Sequence, residues 1–130
     1  MSVKKNKRLL IVDDDFFITK MLEKALSDIY DLTVCHDAIE GLKYIENNTY
    51  AAVITDLNMP DKDGLDFAKE IKGVNSHMPI LMISGESFES LSDYNQLNSI
   101  CRYADDTLGK PFTKNELIAS LNAMIGEAYS

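Results

Sequence analysis

Short apolar runs recur along the chain, and each is followed by a polar turn and then by residues with helical periodicity. The runs are almost continuously apolar instead of alternating with polar residues. This pattern is typical of strands in a parallel sheet whose two faces are both covered. The predicted strands are residues 9–12, 32–35, 51–55 and 80–83, with a short fifth strand near 107–108.

Between these strands, apolar residues fall three or four positions apart, as on one face of a helix. We predict helices over 16–27, 38–46, 65–74 and 114–125, with a weaker helical pattern after the fourth strand. Asp15 and Thr113 are predicted to cap the first and last of these helices. The residues predicted to face the sheet are Phe17, Met21, Leu22, Ala25 and Leu26 in the first helix, Ile39, Leu42 and Ile45 in the second, Leu65, Ala68 and Ile71 in the third, and Leu117, Ile118, Leu121 and Ile125 in the last.

Five strands that alternate with five helices predict an α/β fold. The expected architecture is a single doubly wound, five-stranded parallel sheet with helices on both faces. The sequence contains no internal repeat, linker or low-complexity stretch. We therefore expect residues 1–130 to form one domain, with a core over about 7–126.

Composition narrows the possible functions. The 130 residues include 45% hydrophobic and 26% charged residues, which is typical of a globular domain, and the net charge is −8. That charge argues against direct binding to nucleic acid or to an anionic membrane. The two cysteines lie in no metal-binding motif, and no apolar stretch approaches the length of a membrane span or a signal-peptide core. We expect a soluble, cytoplasmic protein.

Polar side chains follow the ends of four predicted strands. Because parallel sheets bind ligands outside the carboxyl ends of their strands, these side chains are expected to converge. The first strand leads to two acids, the third to an acid and an asparagine, the fourth to a serine and the fifth to a lysine: Asp13, Asp14, Asp56, Asn58, Ser84 and Lys110. His36 follows the second strand, and we expect it, like His77, to be an isolated surface residue.

Three carboxylates in one crevice repel each other, and a hard divalent cation relieves that repulsion. Mg²⁺ prefers oxygen ligands and usually takes one or two carboxylates together with phosphate oxygens. A serine hydroxyl and a lysine ammonium can donate hydrogen bonds to a phosphoryl group. An aspartate at a strand end more often begins a turn or caps a helix. The combination, and no single residue, favours phosphoryl transfer with Mg²⁺ as cofactor.

These residues together resemble the receiver domain of bacterial two-component response regulators, over residues from about 7 to 124. The matching segments are LLIVDDD (9–15), AAVITDLNMPDKDG (51–64), ILMISGE (80–86) and GKPFT (109–113). The resemblance implies a flavodoxin-like sheet with strand order 2-1-3-4-5. It also implies a signalling domain and not an enzyme, one that catalyses at most its own phosphorylation and slow dephosphorylation.

By this resemblance, Asp56 is the phosphoacceptor and receives its phosphoryl group from a histidine of a sensor kinase or a phosphotransfer protein. Asp13 and Asp14 correspond to the acidic pair that holds Mg²⁺ together with Asp56, with Asp14 the more direct ligand. Asn58 corresponds to the position whose backbone carbonyl completes the metal site. Ser84 corresponds to the residue whose hydroxyl engages the phosphoryl group, and Lys110 to the lysine that pairs with that group. Pro111 corresponds to the proline that follows this lysine after a cis peptide bond.

Two departures from the family concern the output side of the domain, which is the region that passes the effect of phosphorylation to a partner. Receiver domains usually carry Tyr or Phe three positions before the lysine, and that ring moves inward with the hydroxyl; Thr107 stands there in this chain. Lys110 also follows Ser84 by 26 positions, a few more than is usual. The resemblance implies a switched surface around the fourth helix, fifth strand and fifth helix, which binds a downstream protein or effector domain. We expect this chain to differ from its relatives there.

Two other classes of protein share parts of this pattern. Haloacid-dehalogenase-type phosphatases also use a strand-end aspartate but need a second aspartate two positions later, and Asn58 cannot transfer a proton in that role. A phosphorylation-independent interaction module with the same fold stays open because of Thr107. The sequence also leaves open whether the chain is a stand-alone regulator or part of a longer one.

Overall fold

The computed structural model describes residues 7–85 and 94–126, apart from the side chains of 94–96. Within these residues, five parallel strands form one sheet in the order β2-β1-β3-β4-β5, with a helix after each strand. The elements are β1 (Arg8–Val12), α1 (Phe16–Leu26), β2 (Asp31–Cys35), α2 (Ala38–Asn47), β3 (Ala52–Asp56), α3 (Gly64–Val74), β4 (Ile80–Ser84), α4 (Tyr94–Tyr103), β5 (Asp106–Gly109) and α5 (Lys114–Ile125). The predicted fold class and strand order are confirmed.

Both faces of the sheet are buried, which explains why its strands lack polar alternation. Successive residues of a strand point to opposite faces, so Leu10 and Val12 pack into one cluster and Leu9 and Ile11 into another. The first cluster is covered by buried residues of α2, α3 and α4, and the second by residues of α1 and α5. None of the helices in the described part of the chain combines the length and apolar content of a membrane span.

Helix starts place several side chains near the carboxyl edge of the sheet. The predicted caps are confirmed: Asp15 accepts a hydrogen bond from the Phe17 amide, and Thr113 forms a reciprocal capping box with Glu116. Asp37 and Asp63 cap α2 and α3 in the same way, and neither cap was predicted from the sequence. Each helix start after β1, β2, β3 and β5 is therefore held by a side-chain cap.

The prediction that Phe17 faces the sheet is wrong, since its side chain is 74% exposed. In α1, the residues four positions apart that pack on the sheet are Ile18, Leu22 and Leu26. The neighbouring row, with Met21 half-buried, lies at the margin of this contact. Phe17 occupies the first turn of that marginal row and projects into solvent.

The prediction for Ile39 is also wrong, because small residues and not large ones set the buried face of α2. Ile39 is 56% exposed, whereas Ala38 and Gly41 are buried. A Cβ added at Gly41 would lie 2.8 Å from Phe67 Cζ and 3.1 Å from Val12 Cγ2. The absence of a side chain at Gly41 thus brings α2 close to the sheet, and Ile39 is turned outward.

Candidate functional site

The strand register brings the predicted site residues to one edge of the sheet. Val12, the last residue of β1, pairs in register with Thr55, the residue before Asp56. Asp56 pairs with Ile83, and Ser84 with Gly109, the residue before Lys110. The backbone pairing continues past the strand ends, since Lys110 N donates to Ser84 O at 2.7 Å. The strand register and this bond therefore fix where the backbones of Asp56, Ser84 and Lys110 lie relative to one another.

Three carboxylates meet at this edge. Asp13, Asp14 and Asp56 each contribute one oxygen to a group in which all oxygens lie within 4.8 Å of one another. Asp13 and Asp56 are buried, with 2% and 7% of their surfaces exposed, while Asp14 is exposed. The backbone N–H of Asp15 donates to Asp13 Oδ1 at 2.9 Å, which orients the Asp13 carboxylate.

Lys110 supplies the positive charge of the site. Its Nζ lies 3.6 Å from Asp13 Oδ2 and 3.7 Å from Asp56 Oδ2. Both contacts are within ion-pair distance but are too long for hydrogen bonds. One ammonium group thus faces two buried carboxylates and stands between the ends of β1 and β3.

The positive charge near the site does not fully offset the burial and mutual repulsion of its carboxylates. The pKa of Asp13 is raised to about 6, mainly by burial and also by the negative charges of Asp56 and Asp14. The hydrogen bond from the Asp15 backbone and the positive charge of Lys110 lower it, but by less. Burial also raises the pKa of Asp56, while Lys110 and the backbone N–H of Asn58 lower it. A single lysine therefore does not offset the desolvation and mutual repulsion of these acids.

The donor set fits a hard divalent cation. Every side-chain ligand in the group is a carboxylate oxygen, which suits Mg²⁺ and does not suit a soft metal. Asp13 Oδ2 is buried and makes no hydrogen bond within the described residues, so it is an acceptor that still lacks a strong partner. A cation at this position would satisfy that oxygen and reduce the repulsion.

Comparison with known proteins agrees with this geometry. The family model of the response regulator receiver domain matches residues 9–122. The chain belongs to this family. The prediction made from its four sequence segments is confirmed.

Curated relatives are longer proteins. Response regulator MprA of Mycobacterium tuberculosis (strain ATCC 25618 / H37Rv) is 33% identical over 119 residues, which cover 91% of this chain and 50% of the relative. MprA of Mycobacterium sp. (strain KMS) is 34% identical over the same length and share. The chain thus spans about half the length of the curated relatives it matches.

Solved receiver domains share the fold over nearly the whole chain. A CheY-like receiver domain protein from Methanospirillum hungatei JF-1 has a TM-score of 0.83 and 28% identity, covering 94% of this chain and 95% of that one. Response regulator TrrA from Thermotoga maritima has a TM-score of 0.79 and 29% identity, covering 91% and 98%. The TrrA structure was determined in complex with Mg²⁺-BeF.

The last two candidate residues, Ser84 and Asn58, also lie at or just beyond strand ends. Ser84 is fully buried at the end of β4, one position beyond the partner of Asp56 in the sheet register. Asn58 is exposed, two positions after Asp56. The Lys110–Pro111 peptide bond is cis, as the resemblance implied. All six candidate residues therefore lie at the same edge of the sheet.

The prediction that His36 is isolated is wrong. Its ring stacks on Phe16 with a centroid distance of 3.9 Å, and Thr19 Oγ1 lies 3.3 Å from His36 Nε2. His36 follows β2, while the other two residues belong to α1, so the contact joins elements 17 or more positions apart in the chain. No local pattern signals such a contact, because it depends on how α1 lies beside the end of β2.

The output side of the receiver domain carries a small residue where the family usually has a ring. Thr107 is half-buried in β5 and pairs in register with Met82. Tyr103, at the end of α4, is half-buried against the cluster beneath α2 and α3, with Lys69 Nζ 5.6 Å from its ring centroid. Residues 86–93 of the long segment before Thr107 lie outside the described residues.

Proposed function

We propose that Asp56 is the phosphoacceptor of this receiver domain and that its donor is a phosphohistidine of a sensor kinase or phosphotransfer protein. The observation that carries this proposal is the convergence at one sheet edge of three carboxylates within 4.8 Å and of Lys110, 3.7 Å from Asp56. The Mg²⁺-BeF complex of the similar TrrA protein supports it.

The metal part of the proposal assigns Mg²⁺ to the side chains of Asp13, Asp14 and Asp56 and to the backbone carbonyl of Asn58. The raised pKa of Asp13 and its buried Oδ2, which accepts no hydrogen bond and faces only the Lys110 ammonium at 3.6 Å, support this assignment. When bound, Mg²⁺ supplies positive charge that neutralises the carboxylates and the oxygens of the transferring phosphoryl group.

In the transfer step, a carboxylate oxygen of Asp56 attacks phosphorus in line with the bond to the donor imidazole nitrogen. An O–P bond forms as the N–P bond breaks, and the electron pair of the N–P bond stays on the nitrogen. With a proton on the other ring nitrogen, the donor leaves as a neutral imidazole. Lys110 already faces Asp56 and would pair with the negative phosphoryl oxygens. The Ser84 hydroxyl would donate a hydrogen bond to the same group after transfer.

The response to phosphorylation would pass through the two strands that carry these residues. Ser84 is the last residue of β4, and Lys110 is the first residue after β5. The backbones of the two strands are hydrogen-bonded to each other at this point. A shift of either side chain toward a phosphoryl group would move β5 relative to α4 and α5. We propose that a downstream protein or effector domain binds this α4–β5–α5 surface.

Intact-mass spectrometry after incubation with acetyl phosphate and Mg²⁺ tests the assignment of Asp56. The wild type is expected to gain the mass of one phosphoryl group, and Asp56→Asn is expected to gain none. Asp31→Asn is a matched control, because Asp31 is exposed and pairs with Arg8 outside the site. Absence of the added mass in the wild type, with acetyl phosphate and with a cognate kinase, would favour the phosphorylation-independent module.

A further inference from the structure

The loop between β3 and α3, residues 57–63, follows Asp56 and carries Asn58. Its two ends are tied by backbone hydrogen bonds, from Leu57 N to Ile83 O at 2.8 Å and from Gly64 N to Leu57 O at 2.7 Å. Lys62 pairs with Glu70 of α3. These contacts hold the loop to β4, to itself and to α3, and none of them reaches the half of the site that carries Asp13 and Asp14.

Asp61 makes a contact of a different kind. Its Oδ2 accepts hydrogen bonds from Ala38 N at 3.0 Å and from Ile39 N at 3.2 Å, in the first turn of α2. That helix already has its own cap, because Asp37 Oδ1 accepts from Glu40 N at 2.8 Å. Asp61 therefore adds a link from the loop to α2 that the start of the helix does not require.

The link leads back to Asp13 by a short path. The backbone N–H of Asp13 donates to Cys35 O at 3.2 Å, beyond the end of the β1–β2 pairing. Cys35 precedes Ala38 by three residues. The turn between β2 and α2 is thus bonded on one side to the backbone of Asp13 and on the other to Asp61 of the loop. A closed set of contacts connects the two halves of the site.

We propose that Asp61 is a positioning residue that fixes the distance between the Asp13–Asp14 pair and the Asp56–Asn58 segment for Mg²⁺ binding. The inference rests on the proposed function of this site. Residues that hold ligands in place affect metal affinity without touching the metal, because a ligand set that must be reordered on binding binds more weakly. Asp61 acts through the loop that carries Asn58 and is not itself a ligand.

Mg²⁺ titration of the full chain, followed by backbone amide shifts, tests this inference. Loss of a residue bonded directly to a metal ligand typically weakens binding roughly 10- to 100-fold. Because Asp61 acts one step further away, we expect Asp61→Ala to raise the Mg²⁺ dissociation constant by about the lower end of that range, roughly 10-fold. Asp61→Asn should stay within about 2-fold of wild type, because its amide oxygen can accept the same two hydrogen bonds. Asp37→Ala is the matched control: it removes one carboxylate and one cap from the same helix start but leaves the loop contact intact, and it should also stay within about 2-fold.

A second measurement does not depend on the metal. In the metal-free protein, Asp61→Ala should speed amide hydrogen exchange at Ala38 and Ile39, and Asp37→Ala should speed it at Glu40. This pattern would establish that each variant removes only its own contact. Unchanged exchange at Ala38 and Ile39 in Asp61→Ala would show that the contact does not form, and would overturn the inference.

The outcomes separate the inference from the proposed function. A wild type that binds no Mg²⁺ would overturn both. If the wild type binds Mg²⁺ and Asp61→Ala binds it equally well, only the positioning role fails. An equal loss in Asp37→Ala would trace the effect to α2 stability or to charge. An equal loss in Asp61→Asn would trace it to charge alone. Either result would overturn the positioning role.

Discussion

Gly64, the first residue of α3, lies directly against the backbone at the end of β3, the strand that carries Asp56. A Cβ built on Gly64 would lie 2.1 Å from the backbone oxygen of Asp56, 2.8 Å from Leu57 Cα and 3.0 Å from the carbonyl carbon of Asp56. All three atoms belong to the backbone, so no side-chain rotation can relieve the clash. Gly64→Ala must therefore move either the start of α3 or the end of β3 that carries Asp56.

The size of the effect follows from the distance. Relief to an ordinary contact requires a shift of at least about 1 Å in backbone that is hydrogen-bonded on both sides, from Leu57 N to Ile83 O and from Gly64 N to Leu57 O. Overpacking of a close-packed site costs roughly 1–3 kcal/mol, and more where the backbone cannot adjust. We expect Gly64→Ala to lower the free energy of unfolding by about 3 kcal/mol or more.

Gly73 offers a matched control in the same helix. A Cβ there would meet no atom within 4 Å. Because alanine favours the helical state over glycine, Gly73→Ala should raise the free energy of unfolding by up to about 1 kcal/mol. The same chemical change in one helix is thus expected to have opposite signs, with a difference of about 4 kcal/mol between the variants.

Urea and thermal denaturation followed by far-ultraviolet circular dichroism measure this difference, since the chain contains no tryptophan for fluorescence. For a domain of this size, about 4 kcal/mol corresponds to a difference in Tm of at least roughly 10 °C. Mg²⁺ affinity should fall in Gly64→Ala and stay unchanged in Gly73→Ala. If the two variants agree in stability within about 1 kcal/mol, the close backbone approach does not constrain the site, and the reasoning is refuted.

Three other predictions test the charges and thiols. Burial raises the pKa of Asp13 in the folded, metal-free protein to about 6, so the stabilisation that comes from its protonated form is lost as the pH rises through 6. Acidification from pH 7 to 5 should therefore raise the free energy of unfolding by about 1 kcal/mol more in wild type than in Asp13→Asn. Equal changes in the two proteins would contradict this. Lys110→Ala should uncouple phosphorylation from the conformational response, so that amide shifts at β5 and α5 stay near their unphosphorylated values at an equal phosphorylated fraction; an unchanged response would count against that role. Burial raises the pKa of Cys35 to about 12, while Cys101 is exposed, so iodoacetamide should modify one thiol in the native protein and both after denaturation; rapid modification of both native thiols would show that Cys35 is accessible.

The candidate site could be predicted from the sequence because its chemistry follows from strand ends. In a parallel sheet, the carboxyl ends of all strands meet at one edge, so finding the strands also locates Asp13, Asp56, Ser84 and Lys110. The apolar runs that identify those strands are strong signals because both faces of the sheet are buried. Each predicted strand end agrees with the structure to within one residue.

Contacts that depend on helix placement could not be predicted in this way. The orientation of α2 is set by the small residues Ala38 and Gly41, so the large apolar residue Ile39 does not mark its buried face. Asp61 lies 23 positions from Ala38, and nothing in the turn that contains it indicates which helix it would reach. Such contacts join elements that are distant in the chain, so only the assembled fold defines them.

The arrangement of charge at this edge explains why metal binding and folding should be linked. Two buried carboxylates with raised pKa values, Asp13 and Asp56, share one ammonium group that lies beyond hydrogen-bond distance of both. Each ionised acid therefore lowers the stability of the metal-free protein relative to its protonated form. A cation that binds the folded state removes this cost and stabilises the fold by mass action. The same uncompensated charge thus weakens the metal-free domain and would supply a driving force for the proposed Mg²⁺ binding. Replacing Asp13 by a neutral residue should therefore stabilise the metal-free fold at neutral pH and weaken Mg²⁺ binding.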